Sequence, residues 1–360
     1  MTDHPDFYLK PTGLLTGASA AKACAEGVAV RLAGGAVAFN GCELIRRKGG
    51  ERRTVIMTVD GLRACNLRSD AVLAEAIEER LAAIAGPRAP FAGLTLDRPR
   101  LMGVLNVTPD SFSDGGRHAS REQAVAQGRA LLEAGADIID VGGESTRPGA
   151  APVSLQEELD RVVPVIGDLA GAGAVVSVDT RHAQVMEAAI AAGASIVNDI
   201  TALSGDADSL GVVARAGVAV ALMHMRGEPR TMQQDPVYDD APLDIYDYFA
   251  GRLAACAEAG LTPDRIVLDP GIGFGKRDPH NLGILADLAI YHGLGCGLLI
   301  GASRKSFIGR VSRGETSDQR LPGSLAAAIA AIARGAQIIR VHDVAETSQA
   351  VAIWRAISDV

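Results

Sequence analysis

The sequence predicts an α/β protein, a (β/α)8 TIM barrel that carries a small N-terminal α+β appendage. Three observations predict it. From Leu101 onward short apolar runs alternate with longer helical patterns, eight times in about 260 residues, which is the unit count and length of such a barrel. Those runs are continuously apolar, the mark of strands covered on both faces in a parallel sheet. Finally, a helical stretch ending in Gly leads directly into a strand three times: Glu133-Ala-Gly-Ala-Asp-Ile-Ile-Asp140, Ala192-Gly-Ala-Ser-Ile-Val-Asn-Asp199 and Arg334-Gly-Ala-Gln-Ile-Ile-Arg340. Gly just past a helix can take the positive φ that ends it.

Residues 1–98 read differently and form the expected appendage; the barrel occupies 99–360. The appendage opens with a small-residue stretch, Gly17–Gly27. Apolar runs follow at Val28–Leu32, Ala36–Leu44 and Thr54–Thr58, then a helical pattern over Ser69–Ile84. Arg46, Arg47, Lys48, Arg52 and Arg53 read as a solvated hairpin tip. Gly86-Pro-Arg-Ala-Pro90 reads as a linker. Barrel strands are expected at Leu101–Asn106, Asp137–Val141, Ala174–Asp179, Ser195–Asp199, Val218–Met223, Arg265–Asp269, Gly297–Gly301 and Gln337–Val341. Helices are expected at Leu155–Ala170, His182–Ala192, Leu243–Ala259 and Ser324–Arg334. A doubly wound open sheet is the structural alternative, but no G-x-G-x-x-G follows any strand.

Composition narrows the function classes. Hydrophobic residues make up 48% of 360 and aromatics only 4%, so the core is aliphatic. A net charge of −8 argues against a general nucleic-acid binder. The five cysteines are scattered and form no C-x-x-C pair, which disfavours a disulfide framework or a structural zinc site. The opening Met-Thr-Asp-His-Pro-Asp lacks the character of a signal peptide, and no apolar run is long enough to span a bilayer. A cytoplasmic protein without nucleic-acid or membrane partners is expected.

The strand ends carry the chemistry. Asn106, Asp140, Asp179, Asn198, His224, Asp269, Ser303, Arg304, Lys305, Arg340, His342 and Asp343 all fall where a strand runs out. Any one could be a cap or a loop hydrogen bond. As a set, on the face where barrels place their active sites, they point to a ligand site. Gly271-Ile-Gly-Phe-Gly-Lys276 looks like a phosphate loop but lacks the G-x4-G-K-[ST] spacing, so its glycines read as room for a ligand.

Leu101-Met-Gly-Val-Leu-Asn-Val-Thr-Pro-Asp-Ser-Phe-Ser-Asp-Gly-Gly116 and Ile138-Ile-Asp-Val-Gly-Gly-Glu-Ser-Thr-Arg-Pro-Gly149 resemble the two signatures of dihydropteroate synthases. The resemblance continues through Ser177-Val-Asp-Thr180, Val197-Asn-Asp-Ile200, Leu222-Met-His-Met225, Leu268-Asp-Pro-Gly-Ile-Gly-Phe-Gly-Lys276, Ser303-Arg-Lys-Ser306 and Ile339-Arg-Val-His-Asp343. It covers about Leu101 to Ser358 in the family's order and spacing; the appendage has no counterpart in minimal members.

The resemblance implies condensation of 6-hydroxymethyl-7,8-dihydropterin pyrophosphate with p-aminobenzoate in folate biosynthesis. It implies that Asp179, Asn198, Met223, Asp269, Lys305 and Arg340 bind the pterin, and that Arg147, Arg340 and His342 hold the pyrophosphate. Asn106 would give an oxygen to Mg2+, and Asp179, Lys305, Arg340 and His342 form the implied catalytic set. Pro109, Phe112, Thr146 and Pro148 would line the p-aminobenzoate slot, with Phe274 and Ser306 opposite. The two loops 108–116 and 142–149 would close over substrate. Sulfonamide sensitivity and a homodimer are also implied. A methyltetrahydrofolate:corrinoid methyltransferase shares the pterin-binding positions, and a passive pterin binder is a second rival. The first loop, Ser303-Arg-Lys-Ser306 and the Arg340–His342 pair disfavour the methyltransferase, and Asn106, Arg147, Lys305 and His342 disfavour the passive binder.

Overall fold

The computed structural model describes residues 7–48, 51–66, 71–107, 116–144, 153–228 and 231–358. The appendage runs β1 (Phe7–Leu15), α1 (Gly17–Ala25), β2 (Val30–Arg31), β3 (Ala38–Lys48), β4 (Glu51–Thr58), α2 (Val59–Asn66) and α3 (Ala71–Ala85). Long β3 is the spine of its antiparallel sheet: β1 pairs along one edge, β2 and β4 along the other. The strand β1 was not anticipated. Pro11 and Lys10 interrupt its apolar character, and Pro is tolerated there because β1 is an edge strand. Phe7, Leu9, Leu32, Phe39, Leu62 and Ile77 belong to a core of the appendage's own.

The barrel follows as β5 (Arg100–Asn106), α4 (Gly116–Glu133), β6 (Ile138–Gly142), α5 (Leu155–Gly171), β7 (Val176–Asp179), α6 (Ala183–Ala191), β8 (Ile196–Asp199) and α7 (Ser209–Ala216). It continues with β9 (Ala219–Met223), α8 (Ala241–Glu258), β10 (Ile266–Asp269), α9 (Asp278–Ala286), β11 (Gly297–Ile300), α10 (Ser306–Val311), α11 (Leu321–Ile332), β12 (Ile338–Val341) and α12 (Val344–Ser358). The eight strands are parallel and close, β12 pairing with β5 through Ile338↔Arg100. All eight expected strands are present within two residues of their expected starts. Gly135, Gly193 and Gly335 in the repeated helix-to-strand turns have φ of 106°, 111° and 92°.

Side chains alternate along a strand, so every second residue faces the barrel interior. The inward sequence changes character along the axis. Met102, Ile138, Ile196, Ala219, Val267, Leu299 and Ile338 pack together in one cluster toward the strand starts. Two residues further on stand Asp140, Asn198, Asp269 and Arg340. The interior is thus apolar below and polar above. Phe91 and Leu96, just past the segment read as a linker, belong to the lower cluster and plug that end.

The appendage docks on the barrel flank. The Tyr8 ring meets Tyr246 edge-on at 5.3 Å, and its hydroxyl donates to Asp247 at 2.9 Å. Arg47 pairs with Asp244 and Asp247, Arg52 with Asp240 at 2.7 Å, and Lys10 with Asp287 at 2.9 Å. The basic run is therefore only partly a solvated tip. Arg53 is exposed, whereas Arg47 and Arg52 reach acids at the start of α8.

Candidate active site

The polar layer is organised around Arg340. Its Nε donates to Asp140 Oδ2 at 2.6 Å and its Nη2 to Asp179 Oδ2 at 2.7 Å. Asn198 Nδ2 donates to the same Asp140 oxygen at 3.1 Å. Asp140 is fully buried, and its other oxygen, Oδ1, has no partner among the described residues. A buried acceptor left open costs about 1–3 kcal/mol, so the mouth holds unused hydrogen-bonding capacity.

The remaining expected groups surround this network. A Cβ placed on Gly142 would lie 3.5 Å from Asp179 Cβ and 3.8 Å from Asn106 Oδ1, so strands β5, β6 and β7 converge there. A Cβ on Gly301 would lie 3.8 Å from Asp269 Oδ2 and 3.9 Å from Arg340 Cβ, which brings β10 and β12 together across β11. Asp269 Oδ1 accepts from Gly271 N at 2.8 Å. Lys305 Nζ stands 4.0 Å from the centre of the Phe274 ring. Met223 lies beside Gly271. His342 Nδ1 sits 3.1 Å from Ser303 Oγ, which also accepts from the His342 backbone N–H. Ser306 is the exposed first residue of α10. Pro109, Phe112, Thr146, Arg147 and Pro148 lie outside the described residues.

Burial sets the protonation states. It pushes the Asp179 carboxyl up to about 7, with Arg340 pulling the other way and Asp140 adding to the rise. Burial also raises Asp269, against the Gly271 N–H and the cations Lys305 and Arg340. His342 is pushed down to about 4 by burial and then by Arg340, so its ring is neutral near pH 7. Of the cations expected for an anionic leaving group, His342 therefore enters as a neutral hydrogen-bonding group.

Not every strand-end residue faces the mouth. Asp199 caps a turn, accepting from Thr201 N at 2.7 Å and Leu203 N at 2.8 Å. Asp343 holds Arg304 in a two-bond pair. His224 faces Lys276 Nζ at 3.0 Å. Asp140 was expected on the rim without an assigned role. Its direct bond to Arg340 makes it the group that orients the arginine, and only its place in the repeat hinted at this.

The pterin binding enzyme family model matches residues 102–342. The dihydropteroate synthase of Escherichia coli is 50% identical over 264 residues, spanning 73% of this chain and 93% of that protein. A structure of Yersinia pestis dihydropteroate synthase in complex with a sulfonamide drug superposes with a TM-score of 0.71 at 48% identity, covering 76% of this chain and 100% of that one. The Xanthomonas albilineans dihydropteroate synthase with 4-aminobenzoic acid matches with a TM-score of 0.71 at 48% identity, covering 76% and 99%. A parallel closed barrel, a mouth built on Asp140, Asp179, Asn198, Asp269 and Arg340, and matches of this extent lead to one conclusion: the chain belongs to the dihydropteroate synthase family of pterin-binding enzymes.

Proposed function

We propose that this chain condenses 6-hydroxymethyl-7,8-dihydropterin pyrophosphate with p-aminobenzoate, giving 7,8-dihydropteroate and pyrophosphate. The observation that carries the reading is the buried Asp140–Arg340–Asp179 network with Asn198 and Asp269 beside it. A flat heterocycle with amino and ring N–H donors needs buried acceptors, and the mouth supplies them. Lys305 supplies a donor for a ring acceptor, and Met223 an apolar face.

The reaction breaks the C–O bond between the pterin methylene and the diphosphate. The bonding pair leaves with the diphosphate, and the methylene carbon shares its positive charge with the ring. The arylamine lone pair forms the new C–N bond, and the nitrogen then releases a proton. The protein's contribution is to orient the ring, stabilise the departing anion and exclude water from the cation. Arg340 and Arg147 are the arginines assigned to the diphosphate, with His342 as a neutral donor. Phe274 and Ser306 are assigned to the p-aminobenzoate slot, together with Pro109, Phe112, Thr146 and Pro148.

Mg2+ is part of the proposal. Among the described residues no cluster of three or more His, Cys, Asp or Glu could cage a metal. The side-chain carbonyl oxygen of Asn106 lies at the mouth beside Gly142. That donor set fits Mg2+ held chiefly by phosphate oxygens and water. When bound, the ion would neutralise charge on the leaving diphosphate.

A homodimer is also proposed. An open groove of about 560 Å3 between α9, α10 and α11 exposes Leu282 and Val311 and offers an apolar face for a second copy. A cytoplasmic location fits the free thiols of Cys24, Cys42, Cys256 and Cys296. Among the described residues no helix is long and apolar enough to cross a membrane.

The test is product formation from the two substrates with Mg2+, and its inhibition by a sulfonamide competing with p-aminobenzoate. No turnover under any condition, and no binding of p-aminobenzoate or sulfonamide, would refute the reading.

A further inference from the structure

Lys276 is only 1% exposed and has no carboxylate partner among the described residues. Its Nζ donates to Phe274 O at 2.9 Å and His224 O at 3.2 Å, and faces His224 Nδ1 at 3.0 Å. The Nζ thus has three polar neighbours, two of them backbone carbonyls. Burying an amine without a contacting carboxylate is costly, and burial pushes Lys276 well below the ordinary lysine range even though Asp269 attracts it; an apolar side chain of that length would fill the volume without the cost. Packing alone does not account for a lysine here. What the lysine does is join two loops, the one leaving β9 at His224 and the one leaving β10 at Gly271.

The second loop is built to lie flat against the first. Gly271, Gly273 and Gly275 have φ of 67°, 83° and 62°. A Cβ on Gly271 would fall 2.0 Å from His224 O, and one on Gly275 would fall 2.3 Å from Arg226 O. Side chains hold its other peptides: Asn281 Oδ1 accepts from Gly273 N at 2.7 Å, Gln233 Nε2 donates to Gly273 O at 2.5 Å, and Tyr238 OH donates to Gly275 O at 2.9 Å. Phe274 stands between the last two glycines. Its N–H bonds Gly271 O at 3.1 Å, and its carbonyl takes the Lys276 bond. Removing the lysine frees one end of that peptide and leaves its carbonyl unpaired.

We propose that Lys276 is a positioning residue for p-aminobenzoate, holding Phe274 by its carbonyl so that the ring stays both in the slot wall and under Lys305. The inference rests on the reading of Phe274 as part of that slot. Lys276 does not touch substrate. Of the expected pterin ligands, Asp179 and Asn198 stand on other strands, and Asp269 makes its hydrogen bond to Gly271 N at 2.8 Å rather than to Lys276. Burial pushes the His224 ring down to about 2, so it stays neutral and can accept from the lysine at any working pH.

The test uses the full chain with Mg2+, comparing wild type, Lys276→Met and Lys276→Gln. Met keeps the length and removes the donors; Gln keeps two N–H donors. Lys276→Met should raise the p-aminobenzoate KM by about tenfold or more and leave the pterin pyrophosphate KM within about twofold. Sulfonamide affinity, measured with pterin and pyrophosphate present, should fall in parallel. Lys276→Gln should recover part of the p-aminobenzoate KM. Should Lys276→Met fail to fold, Lys276→Gln carries the test through the same split, at smaller amplitude. Equal changes in both KM values, or no change in either, in whichever variant folds, overturn the proposal. A wild-type protein that does not turn over p-aminobenzoate would instead refute the proposed function.

Discussion

Among the described residues arginine is set between carboxylates at several places, and two of them differ sharply. At the barrel mouth Arg340 bridges Asp140 and Asp179; at the appendage seam Arg47 bridges Asp244 and Asp247. The groups are the same and the surroundings differ. Asp140 is 0% exposed, whereas Asp247 at the seam is 47% exposed. Water and salt weaken the seam pair, so it acts as a fastener worth little by itself. In the mouth neither partner can be lost without leaving a buried, uncompensated charge. Residues that look equivalent in a table of contacts therefore differ in how much depends on them.

The largest effect should come from Arg340→Met. It strands Asp140 and Asp179, which should cost about 3–5 kcal/mol of stability unless the two carboxyls take up a proton. It should also lower kcat/KM by roughly 100-fold or more, through the lost diphosphate contact. Denaturant midpoints and steady-state kinetics measure the two. A variant with near wild-type kcat/KM would show that the mouth pair is as dispensable as the seam pair.

Two truncations come next. Deleting residues 1–85 removes the sheet and its ion pairs but keeps Phe91 and Leu96; deleting 1–98 also removes that plug. The shorter deletion should give a less stable barrel that retains turnover. The longer one opens the lower interior cluster and should lower the yield of folded protein sharply. Equal behaviour of the two in thermal melts and activity assays would remove the plug from the account.

A third test uses pH. The folded-state pKa of Asp179 is raised to about 7, so the native protein holds a proton that the unfolded chain has lost, and this contribution to stability falls as pH rises from about 4 to 7. His342, pushed down to about 4, has the opposite sign: the unfolded chain binds the extra proton, so stability rises from about pH 4 to 6.5. The two oppose each other in the wild type. In Asp179→Asn only the His342 contribution of this pair remains, so stability should rise more steeply with pH over that window. Identical pH profiles for the two proteins would contradict the Asp179 assignment.

The smallest effect belongs to the seam. Arg47→Ala with Arg52→Ala should cost about 1–2 kcal/mol, shrinking at high salt, with kcat/KM within about twofold of wild type. Melting curves at low and high salt, with activity alongside, measure it. A large loss of activity would mean that the seam reaches the mouth.

The same contrast explains what the sequence revealed. Barrel strands are short, apolar and buried on both sides, so each registers as an uninterrupted run, and the polar residue that ends it registers as a site. Arg340, Asp179, Asn198 and Asp269 were legible in this way. Asp199 also ends a strand, but its oxygens are spent on the turn at Thr201 and Leu203, so position alone does not make a site residue. The seam was not legible from Arg47 and Arg52 alone, since their partners lie nearly 200 residues away. A signal did exist on the other side: Asp240, Asp244 and Asp247 share one face at the start of α8. The plug was hidden because Phe91 and Leu96 stand among prolines and charges, and burial inside a closed barrel leaves no periodicity in so short a segment.

The distance across the seam also orders events during synthesis. Tyr8 and its acceptor Asp247 are 239 positions apart, and Arg47 and Asp244 are 197 apart. At about 5–20 residues per second, the surface that receives the appendage leaves the ribosome on the order of 10–50 s after the appendage itself. Because the appendage has a core of its own, its sheet can form during that wait. The barrel cannot close until β12 has emerged to meet β5. A nascent chain stalled before α8 would therefore present a formed appendage with Tyr8, Lys10 and Arg47 still facing solvent, a state that chaperones or proteases would meet before the enzyme exists.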